Sequence, residues 1–118
     1  MFDAHSIASH IPRLFDGQLP DLNIGTNDSA SCAPQVEEAI RACCAKQTDY
    51  SWVINGRFKG GYITRAYGQP AQQQHAVQLE LAQCNYMDEQ FPFAWQPEKA
   101  AALQTQLRRI IDTFLTSV

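Results

Sequence analysis

In "HAVQLELA", residues 75–82, a carboxylate sits between two leucines in an alternating stretch, and the alternation decides what that group can do. Read as a strand, the stretch turns Ala76, Gln78, Glu80 and Ala82 to one face and Val77, Leu79 and Leu81 to the other. Glu80 then lies either on the solvated face of an edge strand or in a cleft where burial raises its pKa toward general-base work. The same parity in "DAHS" sends Asp3 and His5 to one side, beside Ser6, where a strand breaks into a loop. An imidazole there either binds a metal through one ring nitrogen, with a carboxylate holding the other, or is structural. His10 and His75 have no partner at an informative spacing and read as structural. The third feature is "NGRFKGGYITRAYGQP", residues 55–70, where Arg57, Lys59 and Arg65 stand among glycines and aromatics. Gly56, Gly60 and Gly61 let the backbone approach a ligand closely, and an arginine fork suits a carboxylate. The segment reads either as an anion pocket for small carboxylates or as a solvated hairpin.

The rest of the composition narrows the partners. The net charge is −3, so no overall field attracts nucleic acid. No apolar run approaches the roughly 20 residues that span a bilayer, and "MFDAHSIASH" lacks a basic region followed by an apolar one. These features imply a cytoplasmic chain with no nucleic-acid or membrane partner. Cys32, Cys43, Cys44 and Cys84 show neither a CxxC pair nor a metal-ligand rhythm, and read as reduced, structural thiols.

The elements that must position these groups are legible in outline. "MFDAHS" reads as the end of a strand, "IASHIPRLFDGQLPD" as a loop, and "DLNIGT" (21–26) as a second short strand. Pro34 opens a helix ending near Gln47, with Ser31 as its capping candidate and Val36, Ala39, Ile40 and Cys43 on one face. "YSWVIN" (50–55) and "YITRAY" read as β-prone pieces, and 75–82 is the clearest strand. Pro97 starts a long amphipathic helix whose stripe of Leu103, Leu107, Ile110, Ile111, Phe114 and Leu115 packs on a sheet. Strands separated by helices give an α/β layer architecture in a chain of 118 residues, the length of one domain spanning 1–118.

"DAHSI", "IPRLFDGQLPDLNIGTNDSASC", "NGRFKGGYITRAYGQP" and "HAVQLELAQCNYMDE", in this order, resemble the C-terminal part of the N-formylglutamate amidohydrolase (N-formylglutamate deformylase) family. The resemblance covers essentially the whole chain. It implies a partial zinc-carboxypeptidase/aspartoacylase-like sheet with flanking helices, and zinc-dependent hydrolysis of N-formyl-L-glutamate to formate and L-glutamate in histidine degradation. It implies His5 as a zinc ligand, Glu80 as the general base, and Arg57, Lys59 and Arg65 as candidates for the carboxylates of a small dicarboxylate substrate.

The family also carries a further N-terminal segment with the other zinc ligands, and this sequence shows no counterpart. The expectation is therefore a C-terminal portion from a truncated or split reading frame, inactive alone, associating with a complementary N-terminal half or as a homo-oligomer. The rival expectation is a noncatalytic carboxylate-binding or assembly module that retains half of the fold.

Overall fold

The computed structural model describes residues 1–118 throughout. Four strands form one mixed sheet: β1 (Phe2–Ile7), β2 (Leu22–Gly25), β3 (Trp52–Ile54) and β4 (Val77–Ala82). Their order is β1-β4-β2-β3, with β1 parallel to β4, β2 antiparallel to β4, and β3 parallel to β2. Three helices accompany it: α1 (Pro34–Ala45), α2 (Tyr62–Tyr67) and α3 (Pro97–Ser117). The expected α/β architecture is present as this four-stranded sheet with flanking helices.

The alternation in each strand sorts the sheet into two faces. Leu22, Ile24, Val77, Leu79 and Leu81 turn to the side covered by α1 and α3, where they meet Val36, Ile40, Cys44, Leu103, Ile110 and Phe114 in one apolar core. Burying each Leu, Ile or Phe side chain there contributes about 1.5–3 kcal/mol. Pro34 occupies the first turn of α1, and Val36, Ile40 and Cys44 follow at a spacing that keeps them on the sheet side.

Burial lifts the Cys32 thiol to about 11, with Glu37 adding to it, and lifts Cys44 to about 12, with Cys43 adding to it. All four cysteines are free. Cys32 and Cys44 are expected to resist a thiol-titrating reagent at pH 8 until denaturant is added; reaction of all four cysteines in the native chain would contradict this packing.

Three expectations are corrected. "YITRAY" is α2 rather than a strand, because Thr64 is fully buried against Gly60 and Gly68 N donates to Thr64 O (3.0 Å), closing a helical turn. Gly68, just past the end of α2, packs so closely on Ser31 that an added Cβ would stand 2.4 Å from Ser31 Cβ. Ser31 does not cap α1: the N-cap is Ala33, and Ser31 Oγ donates instead to Ala76 O (2.7 Å). Finally, the stripe of α3 divides. Leu103, Ile110 and Phe114 enter the core, while Ile111 and Leu115 remain exposed along the β1 side.

Candidate active site

The second face of the sheet is polar and still largely buried. The register sets His5 opposite Glu80, and Glu80 opposite Asn23, in one row across three strands. The adjacent row holds Asp3, Gln78 and Gly25. Because β4 lies between β1 and β2, Glu80 is not on an edge strand, and the solvated-edge alternative falls away. Glu80 is only 8% exposed. Burial raises its carboxyl pKa, His5 pulls it down, and Asp3 pushes it up, leaving a net rise.

Asp3 Oδ1 and His5 Nε2 are 2.9 Å apart, so the carboxylate orients the ring. His5 sits on the edge strand, its side chain about half exposed, and the row opens to solvent on that side. On the other side Asn23, 1% exposed, donates through Nδ2 to Pro20 O (2.7 Å) and to Glu80 O (3.1 Å). Its Oδ1 is buried with no partner, an acceptor standing free beside the glutamate. The sequence reading passed over Asn23, although a polar residue alternating with Leu22 and Ile24 is the signal that would have found it. His75, as expected, is structural: Nδ1 accepts from Ala33 N (3.1 Å) at the start of α1.

The glycine-rich segment borders the same face. Gly61 N donates to Gln78 Oε1 (2.7 Å), tying the segment to the row beside Glu80. Asn27, Asp28 and Ser29 are all left-handed, a run tolerated because short polar side chains bond locally. Asn55, also left-handed, accepts from Thr26 N (2.9 Å) and donates to Thr26 Oγ1 (2.7 Å), stapling the β2 and β3 exits together.

The three cations all reach solvent but are engaged differently. Lys59 Nζ pairs with Asp28 (3.1 Å). Arg57 donates through Nε to Leu14 O (2.7 Å) and lies over the Phe58 ring, with Phe15 edge-on to Phe58. Arg65 Nη1 donates to Gly60 O (3.1 Å). Arg57 thus keeps both terminal nitrogens free, in the geometry that grips a carboxylate in two places.

Asp3 and His5 offer one carboxylate and one imidazole, and no group of three or more His, Cys, Asp or Glu side chains converges anywhere in the chain. Catalytic zinc takes three protein ligands and an open position. The residues of this chain alone do not fit one.

A family model described as N-formylglutamate amidohydrolase matches residues 1–87. The chain belongs to the N-formylglutamate amidohydrolase family. It is 57% identical over 115 residues to the N-formylglutamate deformylase of Pseudomonas aeruginosa, covering 98% of this chain and 43% of that protein. It is 54% identical over the same length to the N-formylglutamate deformylase of Pseudomonas putida, again covering 43% of the relative. The chain thus spans less than half the length of the deformylases it matches. Among solved structures, the N-formylglutamate amidohydrolase of Ralstonia eutropha superposes with a TM-score of 0.73 at 19% identity, over 98% of this chain and 41% of that one. That likeness extends the amidohydrolase family's fold to this mixed sheet and its helices. No helix is long and apolar enough to cross a membrane.

Proposed function

We propose that this chain supplies the general base and the substrate-anion contacts of an N-formyl-L-glutamate hydrolase, as the C-terminal part of a larger catalytic domain, and that it is inactive alone. The observation that carries the proposal is the placement of Glu80, buried with a raised pKa and facing His5 across the β1–β4 register. The identity to two deformylases over 98% of the chain supports the same reading.

Amide hydrolysis needs a water deprotonated as its oxygen adds to the formyl carbon, and a proton delivered to nitrogen as the C–N bond breaks. A carboxylate with a raised pKa suits both halves. Glu80 takes the proton from water and hands it to the leaving nitrogen, releasing formate and the glutamate amine. Asp3 fixes the His5 ring at the open side of the row. His5 would donate one imidazole to a zinc ion whose remaining ligands lie outside this chain, in a domain of zinc-carboxypeptidase/aspartoacylase-like architecture. The free cysteines suit a cytoplasmic setting, and hydrolysis of N-formyl-L-glutamate would be a step of histidine degradation.

Arg57, Lys59 and Arg65 would meet the substrate carboxylates. Lys59 already shares its charge with Asp28, so Arg57 is expected to matter more. In the completed enzyme, Arg57→Ala should raise KM for N-formyl-L-glutamate by about 10- to 100-fold, the worth of one charge-assisted contact of roughly 1.5–3 kcal/mol. Lys59→Ala should do less. Initial-rate kinetics of formate release check both, and equal KM values for wild type and Arg57→Ala would remove Arg57 from the site. Glutamate binding without turnover, lost on Arg65→Ala, would instead favour the noncatalytic binding module.

A further inference from the structure

The helical side of the sheet carries a second polar recess, on the face opposite Glu80. A cleft of about 640 Å³ lies between α1 and α3, within the size range of small-molecule sites. On the α1 side, the short side chains of Ala39, Ala42 and Cys43 leave the room, and Lys46 stands where the helix ends. On the α3 side, Gln106, Arg109 and Asp112 follow one another at helical spacing. Gln47 and Thr113 also line the cleft, but both already donate to backbone carbonyls.

Gln106 is the residue that packing leaves unexplained. It stands one turn after Leu103 and one turn before Ile110, in the row that enters the core, and at 4% exposure it is the one buried residue of the lining. Its Nε2 has no hydrogen-bond partner. An orphaned buried amide costs stability that a leucine at this position would not, so a retained glutamine points to a partner outside the chain's own groups. The cations at the rim are equally unengaged. Neither Lys46 nor Arg109 belongs to an ion pair, and Arg109 does not reach Asp112 although they lie three residues apart on α3.

We propose that this cleft binds a small hydroxy- or amino-carboxylate, with its carboxylate between Lys46 and Arg109, its hydroxyl or ammonium hydrogen on Asp112, and Gln106 donating from the floor. Asp112 selects the class. Two cations against one carboxylate neutralise a single negative charge, whereas a phosphate dianion would be set against Asp112. A donor on the ligand turns that repulsion into a hydrogen bond. The site uses none of Glu80, His5 and Arg57, so it stands or falls apart from the hydrolase reading.

The test is an NMR titration of the 118-residue chain with L-lactate and with glycine, and with propionate and inorganic phosphate as contrasts, read at the side-chain amide of Gln106. Its signals, identified by their loss in Gln106→Leu, are expected to move with a Kd of about 1 mM or below for lactate or glycine. Arg109→Ala is expected to weaken binding by at least about tenfold, and Arg57→Ala to leave it unchanged. The same ligands should slow alkylation of Cys43, followed by peptide mass spectrometry. Gln106→Leu should keep or raise the melting temperature and abolish that protection of Cys43. An amide that does not move with any of the probes at about 20 mM overturns the proposal. So does binding that survives Arg109→Ala, binding lost on Arg57→Ala, or a Gln106→Leu chain that melts below wild type. Phosphate binding ahead of lactate and glycine overturns the choice of a carboxylate, and propionate binding as tightly as both removes Asp112 from the site.

Discussion

Replacing Glu80 with glutamine is expected to lower kcat for formate release by about 10²- to 10⁴-fold in the completed enzyme, with KM changed by no more than about twofold. Glutamine keeps the size and the hydrogen-bonding reach of the side chain but cannot take a proton from water. The loss therefore falls on the chemical step rather than on binding. The same substitution should make the chain more stable at pH 7. Burial raises the folded pKa of Glu80 above its ordinary value of 4.5. The associated stability is present in full below pH 4.5 and is lost as pH rises through the folded value, where the buried carboxyl must ionise. Glu80→Gln escapes that loss, so its advantage should appear at neutral pH and vanish in acid. Urea titrations at pH 7 and at pH 4 check this. A variant that loses both turnover and stability at pH 7 would place Glu80 among structural groups instead.

Gly25→Ala is expected to carry the largest stability cost of any conservative change near the site, about 3 kcal/mol. A Cβ on Gly25 would stand 2.5 Å from both Gly60 N and Lys59 C, and 2.8 Å from Lys59 O. These are backbone atoms, held by the bond from Asn27 N to Lys59 O, and cannot rotate away as a side-chain tip would. The strand must shift or the cationic segment must lift, and either displaces Gly61 from Gln78, next to Glu80. Gly17→Ala makes the contrast: nothing lies within 4 Å of its added Cβ, and only its left-handed backbone is strained, for about 1 kcal/mol. Thermal melts of the two variants should separate them clearly. A Gly25→Ala chain that melts with wild type would mean that the β2 end and the cationic segment are not in this close contact.

Much of the site was legible because strand parity is a local property. The face of β4 that carries Gln78 and Glu80, and the shared side of Asp3 and His5, follow from alternation alone. Strand order does not. Only the long-range pairing of β1 with β4 brings His5 opposite Glu80 and takes Glu80 off an edge. Local β-propensity misread "YITRAY", since the burial of Thr64 against Gly60 outweighs the preference of two tyrosines and an isoleucine for strands. In α3 the periodicity placed the apolar stripe correctly, but it could not say that Ile111 and Leu115 stay exposed while Leu103, Ile110 and Phe114 enter the core. The cations were visible as a cluster, yet the pairing of Lys59 with Asp28 and the packing of Arg57 on Phe58 depend on turns set by four left-handed residues, Asn27, Asp28, Ser29 and Asn55.

The most direct measurement is formate release from N-formyl-L-glutamate, with zinc content determined by mass spectrometry on the same samples, for the chain alone and for the chain joined to the rest of a deformylase. No turnover and no stoichiometric zinc are expected in the chain alone, and zinc-loaded, Glu80-dependent turnover is expected in the joined protein. Turnover by the chain alone, or a zinc-loaded joined protein whose rate is unchanged by Glu80→Gln, would contradict it.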